Sequence, residues 1–388
     1  MGQGKLNLYK TFSPVVYRIS PRARNGLMDM LLYKSNKIED MKSPKIKEAV
    51  LRISEKCNLR CPMCWWWGEN GTGFKDVQSG SPRIFKELSK REWFSIIDQL
   101  AKFNSSTEII GGEPFVRKDA LEIVKYASSK LRSVSVVTNG TLIDDNAALE
   151  LSKISNLEIT FSIDGPREIH DQIRGKGNFD RTTDVIRKLL SLRGKNRFPM
   201  ISTNTTITPY GIEEIPTIVQ QLEELGVDII KMQHLWFTDE QTASLHVQEI
   251  ERRLNVKDNG CYSHLMKMPS INDLQKLSKV LSEIESKRHK VPVLIKPRLT
   301  KSEVIKYYTD LSFKKLDNCP VAWQTIRIES DGNVIFCPDE WIGNYKIGNI
   351  RKNSIKEIWN SQLAQKFRDS LNEEGLFPAC SRCCVLNL

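Results

Sequence analysis

Three cysteines stand close together in the run CNLRCPMC: Cys57, Cys61 and Cys64, a C-x3-C-x2-C arrangement. Thiolates are soft ligands that suit iron–sulfur clusters and zinc. Structural zinc sites favour a C-x2-C pair with a second pair downstream. A loop of three thiolates instead leaves one iron of a 4Fe–4S cube without a protein ligand, whereas closed electron-transfer clusters take four. An open iron is a place for a small molecule to chelate, just as catalytic metal sites keep a free position. Cys319, Cys337, Cys380, Cys383 and Cys384 form a second, C-terminal set, and Cys261, alone, reads as structural. The N-terminus, MGQGKLNLYKTF, has no apolar signal region, and no run of about 18 apolar residues occurs. The expected compartment is therefore the cytoplasm, where nine cysteines point to metal and not to disulfides.

The first cysteine set follows directly on residues 49–54 (AVLRIS), the first of six runs with β character. The others are 107–110, 133–138, 157–163, 200–207 and 227–233, with amphipathic helical stretches at 90–103, 118–130, 181–193 and 212–225. Strands separated by helices imply βαβ units and a parallel sheet. Six units are too few for a closed eight-stranded barrel and predict an α/β fold, a partial (β/α)6 TIM-like barrel. In barrels the chemistry sits at the C-terminal ends of the strands. The expected division is a basic extension over 1–45, the barrel over 46–237, a polar helical linker over 238–315 and a small module over 316–388. That last module carries a hairpin signal, TIRIESDGNVIFC, with Asp331-Gly332 at the turn.

The ends of the second, third and fourth strands each carry a motif. Ile109–Pro114 reads IIGGEP: Gly111 and Gly112 let the backbone approach a ligand closely, and the Glu113 carboxylate can answer a cationic amine. Thr138-Asn139-Gly140 closes the third strand, and SIDGPREIHDQIRG closes the fourth. Together with CNLRCPMC these motifs resemble the radical SAM superfamily over most of residues 48–237. The resemblance implies that Cys57, Cys61 and Cys64 hold a 4Fe–4S cluster whose open iron binds S-adenosylmethionine. It implies that Gly111, Gly112, Glu113 and Pro114 hold the amino group of that cofactor and that Thr138 and Asn139 belong to its site. Ser162 and Arg174 would contact its carboxylate or ribose beside Asp164, and Met63 would pack near its adenine. Arg suits a carboxylate because its planar fork binds both oxygens. Turn formation and helix capping are the plain alternatives for Asp164 and His170.

The C-terminal layout is Cys319, Gly332-x4-Cys337, IGNI at 347–350, a helix with IKEIWNS and then Cys380-x2-Cys383. It resembles the SPASM or twitch module in its single-cluster form. The resemblance implies an auxiliary 4Fe–4S cluster on Cys319, Cys337, Cys380 and Cys383, with Cys384 a substitute for Cys383. Four thiolates saturate such a cluster, which fits electron transfer; a zinc site is the alternative.

Trp65, Trp66 and Trp67 directly follow Cys64, where they can cover the cluster or, through Trp66, meet substrate. Gln233 and His234 end the sixth strand and are candidate cavity residues, as are Asp339 and Glu340 after Cys337, placed to accept a proton. The chain carries 58 Lys and Arg against 47 Asp and Glu, net +11, with nine basic and three acidic residues in positions 1–45. That extension could meet an anionic surface, including a membrane periphery, or simply be solvated. No recognition motif for nucleic acid occurs, so a non-enzymatic, cysteine-metal nucleic-acid binder explains the charge but not the strand-end motifs. The expectation is thus an oxidoreductase that cleaves S-adenosylmethionine to a 5′-deoxyadenosyl radical and takes hydrogen from a substrate carbon. Flavodoxin or ferredoxin would supply the electron. The short lead-in before the first strand favours a sugar, lipid-linked or other small, anionic substrate over the alternative, maturation of a ribosomal peptide or protein.

Overall fold

The computed structural model describes residues 44–69, 71–80, 86–257, 271–315, 317–337 and 345–383. Most of the basic extension, Cys261, Asp339, Glu340 and Cys384 lie outside the described residues. The elements run β1 (Glu48–Ser54), α1 (Thr72–Gln78), α2 (Lys90–Ala101), β2 (Ser106–Gly111), α3 (Ala120–Lys130), β3 (Ser133–Thr138), α4 (Asp145–Leu151) and β4 (Leu157–Ser162). They continue with α5 (Arg167–Arg174), α6 (Asn178–Arg193), β5 (Met200–Ile207), α7 (Ile215–Leu225), β6 (Ile229–His234), α8 (Glu240–Leu254), α9 (Ile271–Ser286), β7 (Val293–Lys296) and α10 (Lys301–Thr309). The C-terminal part holds α11 (Val321–Gln324), β8 (Thr325–Ile328), β9 (Asn333–Ile335), β10 (Gly348–Asn349), α12 (Ile355–Trp359) and α13 (Gln362–Glu374).

One sheet carries all ten strands in the order β10-β9-β8-β1-β2-β3-β4-β5-β6-β7. Strands β1 to β7 pair in parallel with their sequence neighbours, and the sheet stays open, a partial barrel. Two features exceed the six-unit expectation. The polar segment 238–315 contributes β7, in register with β6 from Ile230–Val293 to Gln233–Lys296, as well as helices. Its run PVLIK is too short to stand out against its helix-prone surroundings. The C-terminal hairpin also extends this sheet: β8 pairs in parallel with β1 from Glu48–Thr325 to Leu51–Ile328. Asp331-Gly332 turns it into β9 as expected, with Gly332 at φ +86°.

Alternation along the strands sorts the side chains. Leu51, Ile53, Ile109, Val136, Ile159, Phe161, Ile230, Ile326 and Ile328 join the core beneath the helices. The opposite face carries Arg52, Glu158, Thr160, Ser162, Ser202, Asn204, Lys231 and Arg327. There Lys231 Nζ lies 2.5 Å from Glu158, and Thr160 and Ser202 hydroxyls are 2.8 Å apart. The helices are locally specified. A capping box of Ser89 and Glu92 starts α2, another of Ser354 and Glu357 starts α12, and Gly226 at φ +87° ends α7.

Candidate functional site

The cysteine loop leaves the end of β1 in a tight turn. The Cys64 amide donates to the Cys61 carbonyl at 2.9 Å and the Gly68 amide to the Cys64 carbonyl at 3.0 Å. A Cβ at Gly68 would stand 2.6 Å from that carbonyl oxygen, so only glycine closes the loop. Each sulfur accepts a hydrogen bond: Cys57 from the Leu59 amide at 3.4 Å, Cys61 from Arg174 at 3.9 Å and Cys64 from the Trp67 amide at 3.2 Å. Burial pushes the Cys57 thiol up to about 12, with Glu113, Cys61 and Cys64 adding to the rise. Burial likewise pushes Cys61 up to about 11 against the pull of Arg174. Three thiolates can coexist here only around a cationic group, and ligation requires them deprotonated. The donors present thus fit a 4Fe–4S cluster. Among the described residues no three ligand side chains converge on a point that would hold a single metal ion. The cysteines of a cube each bind a different iron and need no such point.

Gly111 and Gly112 bring the end of β2 against this loop and not against open space. A Cβ on Gly112 would lie 2.4 Å from the Lys56 carbonyl oxygen, and one on Gly111 2.8 Å from that of Ser54. The close fit lets the Glu113 amide donate to the Lys56 carbonyl at 2.8 Å. The Glu113 side chain, 1 % exposed, accepts from the Thr138 hydroxyl at 2.7 Å, the Asn139 amide at 2.7 Å and the Phe115 amide at 3.1 Å. Burial raises its pKa while these bonds lower it, and the net direction is upward. Pro114 opens the short turn of helix Pro114–Val116 that follows. Asn139 ties the third strand's end to the loop, donating to Asn58 Oδ1 at 2.9 Å and towards Cys57 Sγ at 4.0 Å.

At the end of β4, Asp164 accepts from Arg174 Nε at 2.6 Å and from the Thr206 amide at 2.8 Å. The Arg174 terminal nitrogen then reaches Cys61. Asp164 is therefore the brace of the arginine, and the capping alternative fails for it: Pro166, not Asp164, is the N-cap of α5. His170 accepts from the Asp164 amide at 3.4 Å and is buried. Ser162 is half-buried, opposite Asn204, and Met63 is half-buried in the cysteine loop.

Beside the loop lies a buried ionic group that the sequence reading passed over. Arg52 Nε stands 2.9 Å from Glu329, and another of its nitrogens stands 3.7 Å from Glu55. The Ser330 hydroxyl donates to Glu55 at 2.7 Å. The guanidinium lies 5.3 and 5.0 Å from the rings of Trp65 and Trp66. Trp66 is 4 % exposed, with its indole N–H on the Glu55 carbonyl at 2.8 Å. The structure thus buries Trp66 in the wall of the loop and leaves Trp65 the half-buried member of the three. A lone arginine in the apolar run AVLRIS was the available signal.

Cys319, Cys337, Cys380 and Cys383 come together from three parts of the C-terminal region. Burial pushes the Cys319 thiol up to about 12, with Cys383 adding to the rise. Cys337 and Cys380 are also raised well above the ordinary thiol value, by burial first and then by the charges of their neighbours in the set. Four neighbouring cysteines, in which the charge of one raises the thiol pKa of another, again fit a cationic cluster. The sixth-strand candidates separate: Gln233 stays half-buried on the barrel's polar face. His234 turns the other way, is 1 % exposed and pairs with the Tyr308 hydroxyl at 2.9 Å. Burial lowers its pKa to about 3, so His234 is a neutral core residue.

Residues 51–222 match the radical SAM superfamily, and residues 319–384 match SPASM, an iron–sulfur cluster-binding domain. The chain is 27 % identical over 367 residues to the Fe-coproporphyrin III synthase of Methanosarcina barkeri, covering 86 % of this chain and 79 % of that one. It is 30 % identical over 208 residues to the sporulation killing factor maturation protein SkfB of Bacillus subtilis, covering 53 % and 46 %. Among solved structures, Streptococcus suis SuiB superimposes with a TM-score of 0.62 at 14 % identity over 93 % of this chain and 78 % of SuiB, a likeness of fold.

Proposed function

The chain is a member of the radical SAM superfamily with a C-terminal SPASM domain, and on that premise we propose that it oxidises or cross-links a ribosomally made peptide or protein. It is an enzyme that uses S-adenosylmethionine and 4Fe–4S clusters. Bound together, these groups supply a 5′-deoxyadenosyl radical able to take hydrogen from an unactivated carbon. In this proposal Cys57, Cys61 and Cys64 hold the first cluster, and Cys319, Cys337, Cys380 and Cys383 hold the auxiliary one. Glu113 receives the ammonium of S-adenosylmethionine: three donors already fix its carboxylate, and a cation relieves the cost of its buried charge. Arg174, steadied by Asp164, serves the carboxylate or ribose with Ser162, while Met63 covers the adenine.

The observation that carries the substrate class is the 30 % identity to SkfB, a maturation protein. It moves the reading away from the sugar or lipid-linked substrate that the short lead-in favoured. The interior face supports it, since Ser162, Asn204, Thr206 and Gln233 share that face by strand register and offer hydroxyl and amide groups that suit a peptide backbone. A second reading, an anionic tetrapyrrole, rests on the longer match to Fe-coproporphyrin III synthase. We place the enzyme in the cytoplasm with a flavodoxin or ferredoxin as electron donor. Among the described residues no helix is long and apolar enough to cross a membrane.

The test is a mass-spectrometric comparison of cells expressing the active chain with cells expressing Cys57→Ala/Cys61→Ala/Cys64→Ala. A peptide lighter by two hydrogens per site, only with the active chain, supports maturation. A changed porphyrin spectrum with an unchanged peptide complement overturns it in favour of the tetrapyrrole.

A further inference from the structure

The loop that carries the first three cysteines leans on the C-terminal hairpin. Strands β1 and β8 run in parallel and in register as far as Leu51 opposite Ile328. The next residue of each, Arg52 and Glu329, then meet at 2.9 Å, and both side chains are 3 % exposed. A second carboxyl group, that of the fully buried Glu55, stands 3.7 Å from the same guanidinium. The hairpin turn holds this stem twice more through Ser330. Its hydroxyl donates to Glu55 at 2.7 Å, and its carbonyl accepts from the Leu88 amide at 2.6 Å.

Arg52 also supports the far end of the loop. Its guanidinium lies 5.3 Å from the ring of Trp65 and 5.0 Å from that of Trp66. Trp66 and Trp67 form a small buried group of their own, with Cys57, Cys64 and Trp65 packed against it. Contacts therefore run from Glu329 through Arg52 and the tryptophans to two of the three cysteines. Glu55 precedes Cys57 by two residues and Trp65 follows Cys64, so both ends of the cysteine run rest on one side chain. Arginine suits the place: its planar fork pairs with carboxylates while its face lies on aromatic rings, which an ammonium cannot do together.

We propose that Arg52 is a positioning residue for the first cluster. It carries the placement of the C-terminal hairpin, through Glu329, to the tryptophan wall, and so fixes where Cys57 and Cys64 stand. Groups that orient metal ligands from behind change how tightly the ligands hold the metal, by about 10- to 100-fold when they are removed. The first cluster is thus held by a loop whose shape depends on the C-terminal domain. The inference rests on Cys57, Cys61 and Cys64 holding a cluster, as proposed above.

The test is a chelator challenge of the anaerobically reconstituted holoenzyme with EDTA. The first cluster is read, after dithionite reduction, as the EPR signal that changes when S-adenosylmethionine is added. Glu329→Gln removes the hairpin's anchor and leaves Arg52 with Glu55. Arg52→Met/Glu329→Gln removes both halves of the pair, strands no guanidinium, and serves if the single variant does not fold. Asp228→Asn is the control: it breaks the pair with Arg193 just before β6, at the opposite end of the strands from the cysteine loop. Each protein is challenged at the same interval below its own melting temperature, so that a general loss of stability is matched. The expected result is loss of the first cluster about 10- to 100-fold faster in the Glu329 variants than in wild type, with Asp228→Asn close to wild type. Wild-type retention in a folded Glu329 variant, or equal loss in Asp228→Asn, overturns the positioning role. A wild-type enzyme with no signal that responds to S-adenosylmethionine overturns the cluster assignment beneath it as well.

Discussion

Replacing Asp164 with asparagine keeps the shape of the side chain and removes its charge. In the structure that carboxylate is fully buried and holds Arg174 Nε at 2.6 Å and the Thr206 amide at 2.8 Å. The arginine is only 12 % exposed on its side chain, so Asp164→Asn strands a guanidinium that water cannot recover. Removing one partner of a buried ion pair costs about 3–5 kcal/mol, and the residual exposure of Arg174 and its contact with Cys61 put the figure near the lower end, about 3 kcal/mol. That is roughly a hundredfold in the unfolding equilibrium. Urea unfolding of the cluster-free chain, followed by far-ultraviolet circular dichroism, reads it. The double variant with Arg174→Met closes a thermodynamic cycle and should show a coupling of at least about 1 kcal/mol. A single variant within about 0.5 kcal/mol of wild type, with additive double-variant energies, would refute the view that Asp164 braces the arginine.

Three further outcomes follow from the same geometry. Burial works to raise the Glu158 carboxyl, but Lys231 and Ser202 override it, so its pKa lies below the ordinary value. Its stabilisation is then present above the unfolded pKa and lost as pH falls through the lowered folded one. Glu158→Gln should accordingly destabilise the chain at pH 7 by about 1–2 kcal/mol, and the difference from wild type should shrink in acid denaturation below about pH 4. Gly112→Ala places a methyl group 2.4 Å from the Lys56 carbonyl oxygen. It should cost about 1–3 kcal/mol, visible as a lowered melting temperature, and should impair iron loading of the first site. Glu113→Gln removes the charge proposed to meet the ammonium of S-adenosylmethionine; anaerobic calorimetry should show binding weakened about 10- to 100-fold, the worth of a charged hydrogen bond.

Much of this architecture was legible in the sequence because the barrel strands are apolar runs flanked by amphipathic helices. Strands 133–138 and 200–207 were expected with the bounds they have. The strand-end motifs could be read in turn because glycine turns and spaced cysteines are local signals. What escaped depends on pairing between distant segments. Nothing local in VLIK marks β7 as a strand among helices, and nothing in TIRI says that it will lie beside AVLRI and extend the sheet. The same pairing brings Glu329 to Arg52, so its role is invisible until β8 is placed. Gly111 and Gly112 show the converse: the motif signals a close backbone approach to a ligand, and the close approach in the structure is to the loop after β1. His234 shows how one step of strand alternation separates a cavity residue from a core residue, since Gln233 beside it faces the other way.

The central claim is that two cysteine sets hold two clusters with different tasks, and iron and sulfide analysis of anaerobically reconstituted protein tests it most directly. It should be paired with a 5′-deoxyadenosine assay under dithionite. The account predicts about eight irons per chain in the wild type, two cubes of four. Cys57→Ala/Cys61→Ala/Cys64→Ala should retain about four and form no 5′-deoxyadenosine. About four irons in the wild type, all lost in the triple variant, would contradict it and leave the C-terminal cysteines without a cluster.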